Sequence, residues 1–473
     1  MNSERVSAAG YSVPRMSLLT LAFCGALAVI AVGPLATAED MSFIQEGKIK
    51  VGVDLDRGGA ITFLQHADDG RNLVNNHDCG RQIQQSYYSG PRPFDPKDNM
   101  HPNWQNWCWN PIQVGDVYGN RATVTKHTND GEQIYVETVP MHWALDNVPG
   151  DCTFESWIHI EDGAVAVRQR LNNARPESAR YDAYTQELPA VYTVGTLHRL
   201  HTYTGQHPFE GKPLTQIENS GPPWTSWRAP ENWAALVDKN DWGLGILNPD
   251  AVAFIGGFHG PPGRGGPTDN STGYIAPTHR EILDPDITYE YRYYLVPGSL
   301  KHIREWIYSH RPTTLPDYVF TSDRQHWHYR NAADTGLPAG GSLKVKLNAE
   351  DPQMIGPACA FRAGAVSRLH ITAAYHLEDT GPEQLRARLM WKTQAGDGHE
   401  KPRYSKWHGT DFKVINDGNF NTYTVDLSGE PGWEGLIARL RFDPVPAGEN
   451  GDYVEVRSIS HRSATADPDS TGE

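Results

Sequence analysis

Residues 75–90 concentrate amide, acidic, basic and aromatic side chains in a way that core strands rarely tolerate. A buried polar group without a hydrogen bond costs roughly 1–3 kcal/mol, so this segment implies dense internal pairing or a polar ligand. Planar amide, carboxylate and guanidinium groups bind hydroxyl-rich ligands such as sugars through paired hydrogen bonds. The alternative is a polar turn that ties strands together. We predict catalytic roles for His77, Asp78 and Tyr87, and substrate-binding roles for Arg81, Gln84, Gln85 and Tyr88.

Residues 104–120 form a second such segment, in which three tryptophans fall within six positions. The apolar C–H faces of pyranose rings stack on indole rings, so exposed tryptophans favour carbohydrate binding. The alternative is that these rings pack inward or cap the domain edge. From this segment we predict Trp104, Trp107 and Asn110 as substrate-binding residues and Asp116 as a catalytic carboxylate.

The third polar and aromatic segment covers residues 224–233, a loop that enters a strand. It adds Trp224, Trp227, Arg228 and Glu231 to the predicted substrate-binding residues. A glycine-rich run at 256–266 follows, but it lacks the ending and context of a phosphate-binding loop.

Glu187 is the first choice for a general acid or base, because it ends a strand-like run just before Pro189. Glycoside hydrolysis requires a second carboxylate facing it, for which Asp116, Asp78 and Glu231 are candidates. β-Elimination on a uronate instead requires a base and a group that neutralises the substrate carboxylate. Those roles suit Tyr87, Tyr88, His77 and Arg81. The alternative for Glu187 is an exposed or structurally paired side chain.

The elements that must position these residues are short strands, because 45 glycines and 34 prolines interrupt the chain. Alternating runs flank turn sequences such as Asn129-Asp130-Gly131, which predicts antiparallel hairpins. Apolar positions 300, 303, 306 and 307 share a helical face, and Ser299 is the expected N-cap.

The chain divides into segments of different character. Two arginines, an apolar run and Ala36-Thr37-Ala38 predict a signal peptide over 1–38 and a secreted or periplasmic protein. An uncleaved N-terminal anchor is the alternative, and no later segment predicts a membrane span. A proline-bearing linker after the helix separates predicted domains at 41–316 and 317–462. Residues 463–473 are predicted to be a disordered tail.

The net charge and the cysteine content limit which ligands and cross-links the sequence predicts. A net charge of −15 argues against nucleic acid and leans towards a neutral substrate, hence towards hydrolysis. Export permits disulfides, and we expect Cys79 to pair with Cys108. His198 and His201 lie three apart in an extended segment, so we assign no metal ligand and no cofactor. Calcium is common in secreted sandwiches, although no loop here specifies it.

The first domain resembles the galactose-mutarotase-like β-supersandwich families, in its run of hairpins, the early strand Asn72-Leu73-Val74 and a downstream Glu/His set. The second resembles the jelly-roll modules of carbohydrate-active enzymes, in the segments 416–427, 433–435, 440–444 and 451–456. The resemblance implies an all-β protein: a large antiparallel supersandwich domain plus a C-terminal jelly-roll β-sandwich.

Together these observations predict a secreted glycan-processing enzyme that cleaves a poly- or oligosaccharide by hydrolysis or by β-elimination. The alternative is a non-catalytic carbohydrate-binding or cell-surface scaffold protein. In either case the expected partner is a carbohydrate.

Overall fold

A computed structural model describes residues 40–94, 99–337, 339–378, 385–396 and 403–463. The predicted signal peptide, and the predicted tail beyond residue 463, lie outside the described residues. Within the described ranges, no helix is both long enough and apolar enough to cross a membrane.

Residues 41–299 form two nine-stranded sheets, here called the N-terminal sandwich, and one two-stranded sheet. Its strands are β1 (Met41–Glu46), β2 (Ile49–Asp54), β3 (Ala60–His66), β4 (Ile83–Gln84), β5 (Pro111–Ile112), β6 (Thr123–Asn129), β7 (Gln133–Val139), β8 (Met141–His142), β9 (Cys152–Glu161), β10 (Ala164–Asn173), β11 (Tyr184–Glu187), β12 (Ala190–Val194), β13 (Arg199–Thr202), β14 (Thr215–Ile217), β15 (Thr225–Arg228), β16 (Trp233–Val237), β17 (Trp242–Leu247), β18 (Ala253–His259), β19 (Thr272–Glu281) and β20 (Thr288–Ser299).

Sheet 1 has the order β1-β2-β3-β4-β12-β19-β18-β15, with β11 also pairing β19. Sheet 2 has the order β14-β13-β16-β17-β20-β10-β9-β7-β6, and β5 pairs β8 separately. The hairpin predicted around Asn129-Asp130-Gly131 is confirmed as β6 and β7. Alternating apolar side chains of both sheets, such as Val51, Ile158 and Leu295, meet in one large core.

Helix α1 (Leu300–Ser309) follows β20 and confirms the predicted helix. The Ser299 side chain accepts a hydrogen bond from the His302 backbone N–H at 3.2 Å, as an N-cap should. Its buried residues, Ile303, Trp306 and Ile307, pack on sheet 2 beside Trp233 and Val237.

The C-terminal sandwich consists of two six-stranded sheets. Its strands are β21 (Asp317–Val319), β22 (His328–Arg330), β23 (Ala333–Asp334), β24 (Leu343–Lys346), β25 (Gln353–Arg362), β26 (Arg368–His376), β27 (Arg386–Ala395), β28 (Arg403–Tyr404), β29 (His408–Lys413), β30 (Asn421–Asp426), β31 (Leu436–Asp443) and β32 (Tyr453–Ser460). Sheet 3 runs β23-β24-β32-β26-β30 with β21 on β32, and sheet 4 runs β22-β25-β31-β27-β28 with β29 on β27. The protein is therefore all-β, built from antiparallel sandwiches.

The two sandwiches are joined by buried polar contacts. Arg228 is 1% exposed, and its guanidinium donates to the Gln394 side chain at 3.1 Å and to the Cys359 carbonyl at 2.6 Å. Arg324, on the segment between β21 and β22, binds Asp284 from the first sandwich and Asp334 from the second. These buried contacts hold the N-terminal and C-terminal sandwiches against each other at the join.

The predicted Cys79–Cys108 disulfide is wrong. Cys79, Cys108, Cys152 and Cys359 are all buried free thiols. Cys79 packs with Ala60 and Val114 and accepts a hydrogen bond from the Arg121 guanidinium at 3.2 Å. Because each sulfur is enclosed among its own neighbours, burial rather than cross-linking accounts for these residues.

Candidate functional site

Strand β19 organises the candidate site, because alternation along a strand sends its side chains to two faces. Tyr274 and Thr278 share one face, and the intervening Ile275 points into the main core. Tyr192 of β12 lies directly opposite Tyr274, and Glu187 of β11 lies directly opposite Thr278. Directly opposite residues project to the same side of a sheet. Glu187 and both tyrosines therefore stand together on the face of sheet 1 that turns away from the core.

Aromatic rings surround this carboxyl group. The Tyr192 and Tyr274 rings are stacked with centroids 4.4 Å apart, and Trp224 lies 5.1 Å from Tyr274. The charge of Glu187 contributes to the raised pKa of Tyr88, and the Tyr88 ring packs edge-on against Trp107. We call Tyr88, Glu187, Tyr192, Trp224 and Tyr274 the aromatic cleft.

The electrostatics of the aromatic cleft centre on Glu187. The residue as a whole is partly exposed, and the Tyr274 hydroxyl donates a hydrogen bond to its carboxyl group. Burial raises the pKa of Glu187, and this hydrogen bond only partly offsets the rise. Burial, followed by the negative charge of Glu187, raises the pKa of Tyr88, Tyr192 and Tyr274. Among the described residues no second carboxylate and no cation contributes to the pKa of Glu187.

A polar rim borders the cleft. The Arg81 guanidinium lies 3.4 Å from the Asp78 carboxylate and donates to the Asn270 carbonyl at 2.6 Å. The charges of Asp78 and Arg81 both act on the pKa of Tyr192, which places this pair beside the cleft. His77 is exposed nearby, and its Nδ1 lies 2.9 Å from the Thr268 carbonyl.

Four residues predicted from segment 75–110 instead bind the protein itself. Tyr87 is fully buried against Phe154 and donates its hydroxyl to the Gln85 side chain at 2.9 Å. Gln84 donates to the Cys79 carbonyl at 3.0 Å, and Gln85 donates to the Glu155 carbonyl at 3.0 Å. The Asn110 amide donates to the carbonyl of Tyr87 at 2.8 Å. These side chains tie strands together, as in the polar-turn alternative.

Two predicted carboxylates are also engaged internally. Asp116 is 1% exposed and accepts backbone N–H bonds from Tyr118 at 2.9 Å and Asn147 at 2.8 Å. Glu231 is fully buried and accepts from the Trp233 indole at 3.0 Å and the Tyr308 hydroxyl at 2.7 Å. Both carboxylates organise loops of the first sandwich.

The remaining predicted aromatic and basic residues separate into two groups. Trp104 and Trp107 stay partly exposed with ring centroids 4.7 Å apart, and Trp107 reaches Tyr88 at the edge of the cleft. Trp227 is buried against Phe254, and Arg228 lies at the join between the sandwiches.

The structure thus brings Glu187, Tyr88 and Trp224 together, with Arg81 and Asp78 at the rim. Sequence reasoning missed Tyr192 and Tyr274. The signal was weak, because both lie in apolar strands, and only the pairing of β12 with β19 shows that they meet.

Comparisons with known proteins bear on the architecture. No family model matches the chain, and no curated protein matches it. A galactose mutarotase-like protein from Lactobacillus casei is 12% identical, with 54% of this chain and 99% of that chain covered and a TM-score of 0.32. A xanthan lyase from Paenibacillus is 9% identical, with 89% and 51% covered and a TM-score of 0.31. An α-galactosidase from Geobacillus stearothermophilus is 10% identical, with 59% and 44% covered and a TM-score of 0.34.

These matched structures are of the kinds that the sequence resemblance implied: mutarotase-like folds and carbohydrate-active enzymes. Likeness at these identities and scores carries no argument about what this chain does.

Proposed function

We propose that this protein binds a sugar residue in the aromatic cleft and cleaves a glycan there by β-elimination, with Glu187 as the proton-transferring group. The observation that carries the proposal is the Glu187 carboxyl group of a partly exposed residue, hydrogen-bonded to Tyr274 and surrounded by aromatic rings. Burial raises the pKa of this carboxyl group, and a raised carboxyl pKa beside a hydrogen-bonding partner is typical of groups that transfer protons in catalysis.

The surroundings of Glu187 suit a sugar. Indole and phenol rings offer flat apolar faces for the C–H faces of a pyranose, and their polar edges can hydrogen-bond its hydroxyl groups. Trp224 and Tyr192 are both partly exposed and can therefore receive such a ring. At the rim, Arg81 supplies a cation and Asn270 an amide.

Elimination fits this geometry better than hydrolysis. Hydrolysis requires two carboxyl groups facing the scissile bond. Asp116 and Glu231 are committed to internal hydrogen bonds, and Asp78 is paired with Arg81 at 3.4 Å. Elimination from a uronate needs only proton transfer and a positive group near the substrate carboxylate. Here the Glu187–Tyr274 pair supplies the first, and Arg81 supplies the second.

The chemical balance of this reaction is simple. The base removes the proton on C5 of the uronate, the C4–O bond breaks, and the pair of electrons forms a C4=C5 double bond. The departing oxygen takes up a proton, and water is not consumed. The overall negative charge of the chain favours a neutral sugar, and Arg81, paired with Asp78 at 3.4 Å, is the cation at the rim that would face a uronate.

The test is an assay of the full chain on neutral and uronate-containing polysaccharides, following new reducing ends and the ultraviolet absorbance of the unsaturated product. We expect both signals together, on uronate substrates only. Glu187→Gln should lower kcat by about 10²–10⁴-fold, the usual worth of a positioned acid or base. Tyr274→Phe should lower it as well, whereas the exposed control variants Glu218→Gln and Tyr118→Phe should not.

Two outcomes would contradict the proposal. Reducing ends without the absorbance would assign the cleft to hydrolysis. Sugar binding without either product would favour the non-catalytic scaffold instead.

A further inference from the structure

A second group of chemistry-bearing side chains lies on the opposite face of strand β19. His279 and Glu281 are two positions apart, so they project side by side from this strand, away from the aromatic cleft. His279 is 7% exposed and Glu281 is 5% exposed. His326, from the segment between β21 and β22 of the C-terminal sandwich, closes over them. One strand of the first sandwich and one loop of the second thus converge.

The geometry of these three residues is that of a prearranged donor set. One ligand atom from each of His279, Glu281 and His326 lies within 4.8 Å of the other two. The His326 Nδ1 is 2.5 Å from a Glu281 carboxylate oxygen, and the Tyr289 hydroxyl donates to the same oxygen at 3.1 Å. A hydrogen bond to a ligating carboxylate is the usual outer support of a metal site, because it fixes the orientation of the ligand.

The ion pair of His326 with Glu281 accounts for the positions of these two residues but not for that of His279. The His279 ring stacks on the His326 ring with centroids 4.5 Å apart. In the part of the chain that the structure describes, no hydrogen bond is made by the His279 side chain, although more than nine-tenths of the residue is buried. A metal ion that takes the imidazole lone pair would give this side chain a polar partner.

We propose that His279, Glu281 and His326 bind one divalent transition-metal ion of the zinc class. Two imidazoles and one carboxylate are ligands that Zn²⁺ accepts readily, and a set of three leaves a fourth position open. Glu281 and His326 line a cavity of about 590 Å³ between the sandwiches, from which water or a small anion reaches that position.

The ion would act as a cross-link. Two of its ligands belong to sheet 1, and the third belongs to the segment that leads into sheet 4. Metal bound only to the folded chain stabilises it by mass action. This inference does not depend on Glu187 or on the proposed elimination, because the two sites occupy opposite faces of β19.

The experiment uses the full chain, freed of metal by a chelator and then titrated with Zn²⁺ or Co²⁺. We expect one bound ion per chain by elemental analysis, a visible absorption spectrum of low-symmetry Co²⁺, and a rise in unfolding temperature that the chelator reverses. A wild-type chain that binds no ion under these conditions would overturn the proposal.

The discriminating variant is His279→Gln, because it removes one ligand and leaves the His326–Glu281 ion pair in place. We expect it to weaken metal binding by more than the roughly 10–100-fold typical for loss of an outer-shell partner. With chelator present, its unfolding temperature should match that of the wild type. His302→Gln, at an exposed position of helix α1, is the matched control and should bind the ion normally.

Equal metal affinity in His279→Gln and wild type would also overturn the proposal, since it would mean adventitious binding elsewhere. Glu281→Gln provides a second ligand variant, and the circular dichroism of each chain confirms its folding. Loss of binding in both folded variants, with normal binding in His302→Gln, would support the assignment.

Discussion

Arg324 offers the sharpest test of how the two sandwiches are held together. Its side chain is 5% exposed, and its guanidinium lies 2.5 Å from both the Asp284 and the Asp334 carboxylates. Tyr329 adds a hydrogen bond to Asp334 at 3.0 Å. Replacing Arg324 by methionine keeps much of the volume and removes the charge. Two carboxylates, one from each sandwich, would then be buried without their cation.

The size of the effect follows from that burial. Breaking a buried ion pair from one side costs about 3–5 kcal/mol, because the remaining charge is uncompensated. An exposed pair is worth roughly 0–1 kcal/mol, because water solvates both partners. Arg388 and Asp411 form such a pair, with side chains 49% and 30% exposed, so Arg388→Met is the matched control. The free energy of unfolding should therefore separate the two variants by several kcal/mol.

The assay is urea unfolding followed by tryptophan fluorescence, at neutral pH and in the presence of a chelator. We expect Arg324→Met to shift the midpoint strongly and Arg388→Met to shift it little. Adding Asp284→Asn to Arg324→Met should recover part of the loss, because it removes one of the unpaired charges. If Arg324→Met is no less stable than Arg388→Met, the buried network does not hold the two sandwiches together.

Three further predictions concern the cleft, a buried histidine and the thiols. Trp224→Ala should weaken sugar binding by about 1 kcal/mol, measured by calorimetry, whereas Trp157→Ala on sheet 2 should not. Burial, assisted by the nearby Arg175, lowers the pKa of His142 to about 4. As the pH falls, His142 is protonated in the unfolded chain before it is protonated in the folded chain. The folded state therefore loses stability as the pH falls from about 6.5 to about 4. In His142→Phe, the fall in the free energy of unfolding over this pH range should be smaller by on the order of 3 kcal/mol. A variant with the same pH dependence of stability as the wild type would refute this prediction. A thiol reagent should label none of the four described cysteines in the native chain and all four in denaturant, whereas a disulfide would leave two unlabelled.

Local patterns in the sequence were enough to predict much of the fold. The Asn129-Asp130-Gly131 turn specifies its hairpin because those residues tolerate the backbone that a tight turn requires. Helix α1 was visible from apolar spacing and its N-cap, both of which are local properties. The placement of Glu187 at the end of a strand was predictable for the same reason.

The rest depends on pairing between distant segments, which spacing cannot reveal. Tyr192 meets Tyr274 only because β12 pairs β19 in one register, and a slip of β12 by one position would turn Tyr192 to the core. The polar segment at 75–90 looked like a binding surface, yet Gln84 and Gln85 satisfy backbone groups instead. Arg228 was equally misleading, since its partners lie more than a hundred positions away.

Arg228 also bears on how this chain can be rearranged. Its guanidinium, 1% exposed, is satisfied by carbonyl and amide oxygens of the second sandwich, and Val252 packs beside it on Ala360 and Leu436. A chain cut between the sandwiches would leave a bare apolar patch around an arginine that has lost its acceptors. Recombination therefore cannot freely replace the C-terminal sandwich by another domain. Any replacement has to bring its own oxygens to the same place.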